Sequence, residues 1–454
     1  MVGNVMVTSN VMEKLVALCK RRGYIFPGSE LYGGLNGTWD LGPLGVAFAN
    51  NIKHEWWKSM ILTREDVVGL DSAILHHPKT WEASGHVASF TDPLVECKVC
   101  HERFRADHTK NIEEHEKSHK EKNIWTQVKQ FNLMFKTYVG PIDDEKNKTY
   151  LRPETAQGIF INFKNVLETS RVKIPFGIAQ IGKGFRNEIT TGNFLFRVRE
   201  FEMMELEFFV KPGTDKTWHE YWKEQRLQWY LSLGIQKENI KLVDLPKEDI
   251  AHYSKGTSEV WYKWPFTSTH VGDTFGELEG IANRGDYDLS QHAKHTGKDI
   301  VYFEQETNEK FVPYVIEPSV GVGRAMLAFL IDAYAEDPSA SSGQVRVFLK
   351  LHPKLAPVKV AVFPLLGNKE ELKGRAKEIY KTLKTALHGA VMFDDRGNIG
   401  KRYLYQDEIG TPWCVTVDFD SLEDKKVTVR ERDSVKQERV AIGELVEYFQ
   451  GKLK

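Results

Sequence analysis

Residues 184–207 read GFRNEITTGNFLFRVREFEMMELE and form the strongest constellation of charged and aromatic residues in the chain. Two charged residues, Arg186 and Glu188, stand two positions apart before a turn-rich segment, ITTGN. Beyond the turn, charged and apolar residues alternate at Arg197, Arg199, Phe201, Met203 and Glu205. Because neighbouring side chains of a strand point to opposite faces, this pattern predicts a long antiparallel hairpin with one face toward solvent.

Such a hairpin would present a useful set of groups for binding charged ligands. Arginine donates two parallel hydrogen bonds and therefore suits phosphate, whereas a carboxylate suits an amine. A salt-bridged, exposed hairpin without a ligand is the alternative interpretation of the same spacing.

Outward from this hairpin, the pattern predicts an α+β domain at residues 1–350, built on an antiparallel sheet with flanking helices. A polar insertion is expected at about 92–125 and a helical insertion at about 212–255. Helices are predicted at residues 11–22, 44–61, 216–235 and 321–335. After the linker HPKLAP (352–357), strand–helix–strand order predicts a C-terminal α/β domain at residues 351–454, ending in a helix at 440–450.

Composition narrows the functional class. The 454 residues are 41% hydrophobic and 28% charged, and no apolar run approaches the ~18 residues that would cross a bilayer. The four cysteines favour a reducing compartment over a disulfide framework, so a cytoplasmic enzyme is expected. From residue 346 onwards there are 21 Lys and Arg against 16 Asp and Glu. That excess permits a polyanionic partner, although an ordinary solvated surface explains it equally well.

Residues 97–119 have the spacing of a Cys₂His₂ zinc site. Cys97 and Cys100 are followed, after fourteen residues, by His115 and His119. The alternative is that both histidines are incidental in a segment rich in Lys and Glu, HEKSHKEK. Spacing alone leaves structural zinc undecided.

Four motifs in order give the chain a resemblance to a known family. They are LYGGLNGTWDLGPLGVAFANNIKHEWW (31–57), RPETAQGIF (152–160), GFRNE…REFEMMELEFF and EPSVGVGRAML (317–327). They resemble motif 1 with its dimer helix, the amino-acid loop, motif 2 and motif 3 of the glycyl-tRNA synthetase family, which is part of class II. Some members carry a second cysteine pair where this chain has WTQVK.

The resemblance implies an ATP-dependent ligase that forms glycyl-adenylate and transfers glycine to the 3′ end of tRNA(Gly). It implies ATP with Mg²⁺, a homodimer formed through the motif 1 helix, no membrane association, and a C-terminal anticodon-binding domain. The segment DDRGNIGKRYLYQDEIGTPW would lie near tRNA. No side-chain nucleophile is needed, because the glycine carboxylate itself attacks the α-phosphorus.

For ATP, the resemblance makes Arg186 and Arg324 catalytic. Arg186 would hold the α-phosphate and the glycine carboxylate, Glu188 would meet the adenine amino group, and Phe201 and Arg324 would enclose the adenine. Glu277, with Leu278, would contact Mg²⁺ and ATP. The ATP set also includes Asn187, Phe196, Arg197, Val198, Arg199, Glu200, Gly321, Val322 and Gly323.

For glycine, the resemblance implies recognition of the ammonium and carboxylate, with larger side chains excluded. Glu154, Glu205, Glu317 and Ser319 would surround the ammonium, where charge-assisted hydrogen bonds are strong. Steric exclusion is needed because a pocket that only binds one ligand better than another by size gains only ~1–3 kcal/mol of binding free energy per methylene. The set is completed by Arg105, Phe201, Glu202, Met203, Met204, Arg284, Pro318, Val320 and Gly321.

Two other functions are compatible with a class II core. A synthetase for threonine, serine or proline would need a larger or metal-bearing pocket, and EPSVG and FEMME argue against one. A synthetase-like binding protein, such as the accessory subunit of a mitochondrial DNA polymerase, would be expected to lose its phosphate and adenine contacts. Here Arg186, Glu188, Phe201, Glu277 and Arg324 are all present.

Overall fold

The computed structural model describes residues 3–107, 109–251, 253–266, 274–338 and 345–453, with only the backbone for residues 3–10 and 110. Its helices are α1 (Gly3–Arg22), α2 (Pro43–Trp57), α3 (Pro78–Ala83), α4 (His86–Ser89), α5 (Thr109–Glu116), α6 (Ala156–Ser170), α7 (Asp215–Ser232), α8 (Tyr287–Thr296), α9 (Val322–Ala333), α10 (Glu370–Ala386), α11 (Ile399–Glu408), α12 (Asp420–Asp424) and α13 (Leu445–Lys452). Its strands are β1 (Ile25–Pro27), β2 (Trp39–Leu41), β3 (Val67–Gly69), β4 (Thr91–Glu96), β5 (Arg103–Arg105), β6 (Lys129–Asn132), β7 (Lys136–Tyr138), β8 (Lys148–Tyr150), β9 (Phe176–Phe185), β10 (Glu200–Val210), β11 (Ile240–Asp244), β12 (Gly256–Lys263), β13 (Phe275–Gly285), β14 (Tyr302–Glu304), β15 (Glu309–Phe311), β16 (Tyr314–Gly321), β17 (Tyr334–Asp337), β18 (Arg346–Leu349), β19 (Val360–Pro364), β20 (Val391–Phe393), β21 (Trp413–Val417), β22 (Lys426–Glu431) and β23 (Gln437–Ala441).

A seven-stranded sheet organises the larger part of the described chain, in the order β11-β12-β13-β16-β10-β9-β3. Its pairs are antiparallel except β3 with β9. Helices α2, α7 and α9 contribute to the large apolar core on one side, and α6 and α8 contribute to a second core. The predicted α+β class with an antiparallel sheet is confirmed, and β10 lies near the middle of that sheet.

The predicted hairpin exists, but its strands are shorter than expected. Strand β9 ends at Phe185 and β10 begins at Glu200, so Arg186, Glu188, Arg197 and Arg199 lie in the connection. Within this connection, Asn193 and Phe194 take left-handed backbone angles, φ 54° and 59°, which are incompatible with an extended strand. They turn the chain inward, and Phe194 is buried edge-on against Trp39 with ring centroids 4.8 Å apart.

Two further expectations need correction. The segment 212–255 is helical only in its first part, because Ile240–Asp244 forms the edge strand β11 beside β12. The helix expected at 440–450 begins at Leu445, because residues 437–441 pair with β22 as strand β23. In both places a short strand takes up the edge of a sheet.

The C-terminal part has its own five-stranded sheet, in the order β20-β19-β21-β22-β23. Strand β19 is parallel to both β20 and β21, which agrees with the predicted strand–helix–strand order. The linker before it is fixed by Asn51 of α2, whose amide donates to the carbonyls of Leu355 and Ala356 at 3.0 Å. Among the helices of the described residues, none has the length and apolarity that crossing a membrane requires.

Candidate active site

A cavity of about 390 Å³ opens where β10, β13 and β16 meet the segment after β9. It is more polar than a typical ligand pocket, because arginines and carboxylates face each other across it. Its lining includes Glu154, Arg186, Glu188, Phe196, Arg197, Val198, Phe201, Met203, Glu205, Glu277, Leu278, Glu317, Ser319, Gly321, Gly323 and Arg324.

The alternation along β10 delivers one row of side chains to this cavity. Phe201, Met203 and Glu205 line it, and Glu205 lies opposite Ser319 of β16. On the other side, Phe201 pairs with Gly184 of β9. A Cβ at position 184 would come 2.9 Å from the Phe201 ring, so only glycine lets this ring lie against the strand.

Two arginines approach one end of the cavity from different elements. The Arg186 guanidinium lies 5.4 Å from the Phe201 ring centroid, and its Nε donates to the Pro153 carbonyl at 3.2 Å. Arg324, on the first turn of α9, lies 4.6 Å from the Phe196 ring centroid and pairs with Glu277 at 2.9 Å. Arg324 lowers the pKa of Glu277 and keeps this carboxyl ionised.

The opposite end of the cavity is acidic and largely buried. Glu205 accepts hydrogen bonds from the backbone N–H of Thr155 at 2.6 Å, from the Thr155 hydroxyl and from the Ser319 hydroxyl at 2.8 Å. Burial, followed by the neighbouring Glu154, raises the pKa of Glu205. Burial alone would also raise the pKa of Glu154, but His86 and Arg284 outweigh it and the pKa is lowered.

Glu317 completes the acidic end, and a buried arginine fixes it from behind. The Arg284 Nη1 donates to both Glu317 oxygens, at 3.0 and 2.9 Å. The other edge of the guanidinium donates to both oxygens of Asp288, at 2.7 and 2.9 Å. Arg284 is itself held between two carboxylates, so it acts on the cavity through Glu317.

Glu207 lies two residues beyond Glu205 on β10, outside the cavity lining. It is fully buried, and neither of its oxygens has a hydrogen-bond partner within the described residues. Burial, reinforced by the nearby Glu317, raises its pKa well above the usual range. Burial therefore opposes ionisation of Glu207.

Several predicted site residues, all within the described part of the chain, lie outside the cavity lining. Glu202 projects from the other face of β10 and pairs with Lys53 at 3.0 Å. Arg105 pairs with Asp92 at 2.8 Å, and Arg199 donates to the carbonyls of Glu188 and Asn36. The others outside the lining are Asn187, Glu200, Met204, Arg284, Pro318, Val320 and Val322.

The lining also contains residues that the sequence analysis did not single out. Glu259 of β12 faces the cavity near Glu277, and burial together with that carboxylate raises its pKa to about 7. The alternation in TSEVWYK could have identified Glu259. The segment between β11 and β12 supplies Leu245, Asp249, Ala251 and Tyr253. The others are Leu195 in the connection between β9 and β10, Thr257 of β12, and Gly280 and Ala282 of β13.

A separate cluster brings together the predicted zinc ligands. One ligand atom from each of Cys97, Cys100, His115 and His119 lies within 4.8 Å of all the others. Cys100 Sγ is 3.4 Å from His115 Nε2, Cys97 Sγ is 3.8 Å from His119 Nε2, and the two Nε2 atoms are 3.1 Å apart. The helix in this segment, α5, ends at Glu116, and His119 follows in a turn.

Comparison with known proteins gives matches over nearly the whole chain. The family described as "tRNA synthetase class II core domain (G, H, P, S and T)" matches residues 135–333, and the family described as "Anticodon binding domain" matches residues 359–452. The chain is 54% identical to the glycine–tRNA ligase of Thermobifida fusca, covering 98% of each protein. It is 53% identical to that of Streptomyces coelicolor, covering 98% of this chain and 99% of the relative. It is 52% identical to that of Alkaliphilus oremlandii, covering 99% and 100% respectively.

Proposed function

Because the chain belongs to the glycine–tRNA ligase family, on a class II synthetase core, we propose that its cavity binds ATP at the arginine end and glycine at the acidic end. The chain catalyses the reaction of that family, in which glycine is joined to tRNA(Gly) while ATP is converted to AMP and diphosphate. The observation that supports the placement of the substrates is the grouping of charges in the cavity lining: Arg186, Arg197 and Arg324 all act on Glu277, whereas Glu154 and Glu205 act on Glu317.

At the arginine end, Arg186 would hold the α-phosphate and the glycine carboxylate together. The planar guanidinium can donate to both anions at once, which brings the attacking oxygen to the α-phosphorus. Phe201 and Arg324 would enclose the adenine, and Glu188 would accept from its amino group. The arginines stabilise the charge that develops as diphosphate leaves.

At the acidic end, Glu154, Glu205 and Glu317 would surround the glycine ammonium, with Ser319 at its edge. The glycine ammonium carries one positive charge. Burial raises the pKa of two of the surrounding carboxyls, Glu205 and Glu317. A cation between them favours their ionised forms and strengthens the hydrogen bonds to it. The same crowding leaves little space at the glycine α-carbon, so a methyl group would collide with the carboxylates.

The residues present suit the Mg²⁺ that accompanies ATP in this family. Glu277 and Glu259 offer carboxylate oxygens on neighbouring strands of the same cavity, the ligand type that Mg²⁺ prefers alongside phosphate oxygens. Bound there, Mg²⁺ would offset the negative charge of the phosphates. The raised pKa of Glu259, about 7, results from burial and from Glu277.

Transfer to tRNA follows activation at the same site. The terminal ribose 3′-hydroxyl, which class II membership implies, would attack the glycyl-adenylate carbonyl, with AMP as leaving group. The domains proposed for this are residues 1–350 for catalysis and 351–454 for the anticodon. In the second, Arg396 precedes α11, is 80% exposed in its side chain and pairs through Nε with Asp394 at 3.0 Å, so the exposed part of its guanidinium could contact phosphate. We propose that the protein acts in the cytoplasm, where both tRNA and ATP are present.

Amino-acid-dependent exchange of pyrophosphate into ATP tests the substrate assignment. Glycine is expected to support exchange, whereas alanine and serine are not, because their side chains collide with the acidic ring. Exchange that alanine supports as well as glycine does would contradict the assignment.

We also propose that Cys97, Cys100, His115 and His119 bind a structural zinc ion. Tetrahedral zinc with Zn–S near ~2.3 Å and Zn–N near ~2.0–2.1 Å separates its ligand atoms by roughly 3.3–3.8 Å. The separations of 3.1, 3.4 and 3.8 Å in the cluster are close to that geometry. In addition, His115 Nδ1 lies 3.4 Å from the Glu102 carboxylate. A metal-bound histidine usually donates from its other ring nitrogen to such a carboxylate.

Purified protein is therefore expected to contain about one zinc per chain, and Cys97→Ser with Cys100→Ser is expected to remove it. Cys19→Ala is the control for losing a cysteine that does not belong to the cluster, because Cys19 is buried in the main core and distant in sequence from the cluster. Elemental analysis measures the zinc. Less than about half an equivalent in the unmodified protein would contradict a structural site.

A homodimer is proposed from the turn that precedes α2. Leu31 and Tyr32 are 89% and 88% exposed, and Leu35 is 60% exposed. Most apolar side chains of α2 itself, among them Phe48 and Ile52, are buried within the chain, and Val46 is 45% exposed. The partner would therefore contact the exposed turn more than the buried face of the helix.

Leu31→Asp with Tyr32→Asp is expected to convert the dimer to monomer, because two charges would enter an apolar contact. Multi-angle light scattering after gel filtration measures the mass. The control is Leu366→Asp, an exposed leucine in the C-terminal part, 42% exposed. A monomeric unmodified protein would contradict the proposal, as would an unchanged dimer in the double variant.

A further inference from the structure

The carboxylate of Glu154 is held on both oxygens by side chains outside the cavity. Its Oε2 lies 3.2 Å from His86 Nε2, and its Oε1 accepts from the Gln157 amide at 3.1 Å. The Gln157 amide is fixed in turn by Asp288 and His292, each at 2.9 Å. Since Glu154 lines the cavity, its orientation there is set by this outer layer.

The His86 ring has a fixed orientation of its own. Trp81 packs edge-on against it at 5.5 Å and 81°, and Phe90 packs at 5.4 Å and 62°. On its far side, His86 Nδ1 lies 2.8 Å from the Ser84 hydroxyl. Asn132 further anchors α4 by donating to the carbonyls of His86 and Val87 at 3.1 Å.

Ser84 can satisfy this histidine in either protonation state. Its hydroxyl can donate to Nδ1 of a neutral ring, or accept from Nδ1–H of a charged ring while it points to the Trp81 carbonyl, 3.4 Å away. In both arrangements Nε2 keeps its hydrogen and donates to Glu154. The Glu154 contact is therefore retained whichever form of the ring is present.

The short segment 84–90 also reaches the other end of the substrate. Phe90, which packs on His86, lies 5.4 Å from the Arg186 guanidinium. One segment thus supports both Glu154, which is proposed to bind the glycine ammonium, and Arg186, which is proposed to bind the glycine carboxylate. A shift of this segment would disturb the distance between the two groups that glycine must span.

We infer that His86 is a positioning residue for glycine, which donates from Nε2 to Glu154 and holds this carboxylate toward the ammonium. This inference rests on the role proposed for Glu154. His86 lies outside the cavity lining described above, so it acts through the carboxylate and not on the substrate.

Two amide substitutions separate the contacts of the two ring nitrogens. In His86→Gln the amide nitrogen can occupy the position of Nε2 and still donate to Glu154. In His86→Asn the shorter amide overlays Nδ1, retains Ser84 and cannot reach Glu154. We expect the glycine KM of His86→Asn to rise about 10- to 100-fold and that of His86→Gln to change less than about 3-fold, with the ATP KM unchanged in both.

Pyrophosphate exchange at varied glycine and ATP gives these constants, with Glu154→Gln measured in parallel. Equal effects of the two His86 variants, or an ATP KM that rises as much as the glycine KM, would overturn the inference, since a general packing defect predicts both. An unchanged glycine KM in Glu154→Gln would instead refute the role proposed for Glu154. A large effect in Glu154→Gln with none in His86→Asn refutes the positioning role alone.

Discussion

Replacing Arg186 by alanine is expected to lower kcat/KM for glycine activation about 100- to 1,000-fold, with the fold intact. The guanidinium is proposed to hold two anions that repel each other, the α-phosphate and the glycine carboxylate. Without it, the group proposed to contact both anions is lost, and their repulsion is less well offset as they approach bonding distance. Its packing role is expected to be small, because the guanidinium contacts the faces of two rings, Phe201 and Phe90, and donates to one carbonyl, that of Pro153.

Arg186→Lys separates charge from geometry in the same assay. A lysine supplies a positive charge without the planar fork, so it is expected to recover only a small part of the activity. Thermal unfolding of all three proteins checks that the losses are catalytic. Full activity in Arg186→Lys would mean that charge alone is required, and nearly full activity in Arg186→Ala would contradict the proposed role.

Sequence spacing could identify the strand that carries the site because period-two alternation has a direct geometric consequence. Phe201, Met203 and Glu205 of β10 line the cavity together, whereas Glu202 and Met204 between them do not. The set of glycine-binding residues taken from the family resemblance includes consecutive positions of β10. It therefore does not separate the residues that line the cavity from those that do not. The alternation in TSEVWYK carries the same information for Glu259.

The connection between β9 and β10 could not be predicted in the same way. Its shape depends on the left-handed angles of Asn193 and Phe194, and a buried phenylalanine at such an angle has no local sequence signal. The segment 84–90 is a comparable case. His86 gains its relevance only from Glu154, 68 positions later in the chain, and their contact at 3.2 Å is a property of the tertiary fold.

Replacing Glu205 by glutamine is expected to lower kcat/KM for glycine by about 100-fold while the ATP KM stays within about 3-fold. Both oxygens of Glu205 accept from fixed donors, the Thr155 N–H and hydroxyl on one and the Ser319 hydroxyl on the other. Glutamine must turn its NH₂ group toward one of these donors. The variant therefore loses the charge that faces the ammonium and also disturbs two neighbours that shape the pocket.

Glu207→Gln is the matched control, since both residues lie on the same face of β10 and both changes replace a carboxyl by an amide. Glu207 lies outside the cavity, where burial opposes its ionisation, whereas a bound ammonium favours the ionised form of Glu205. The control is expected to keep kcat/KM for glycine within about 3-fold, as measured by pyrophosphate exchange at varied glycine. Equal losses in the two variants would mean that general disruption of β10 explains the effect. A normal Glu205→Gln would remove Glu205 from the ammonium site.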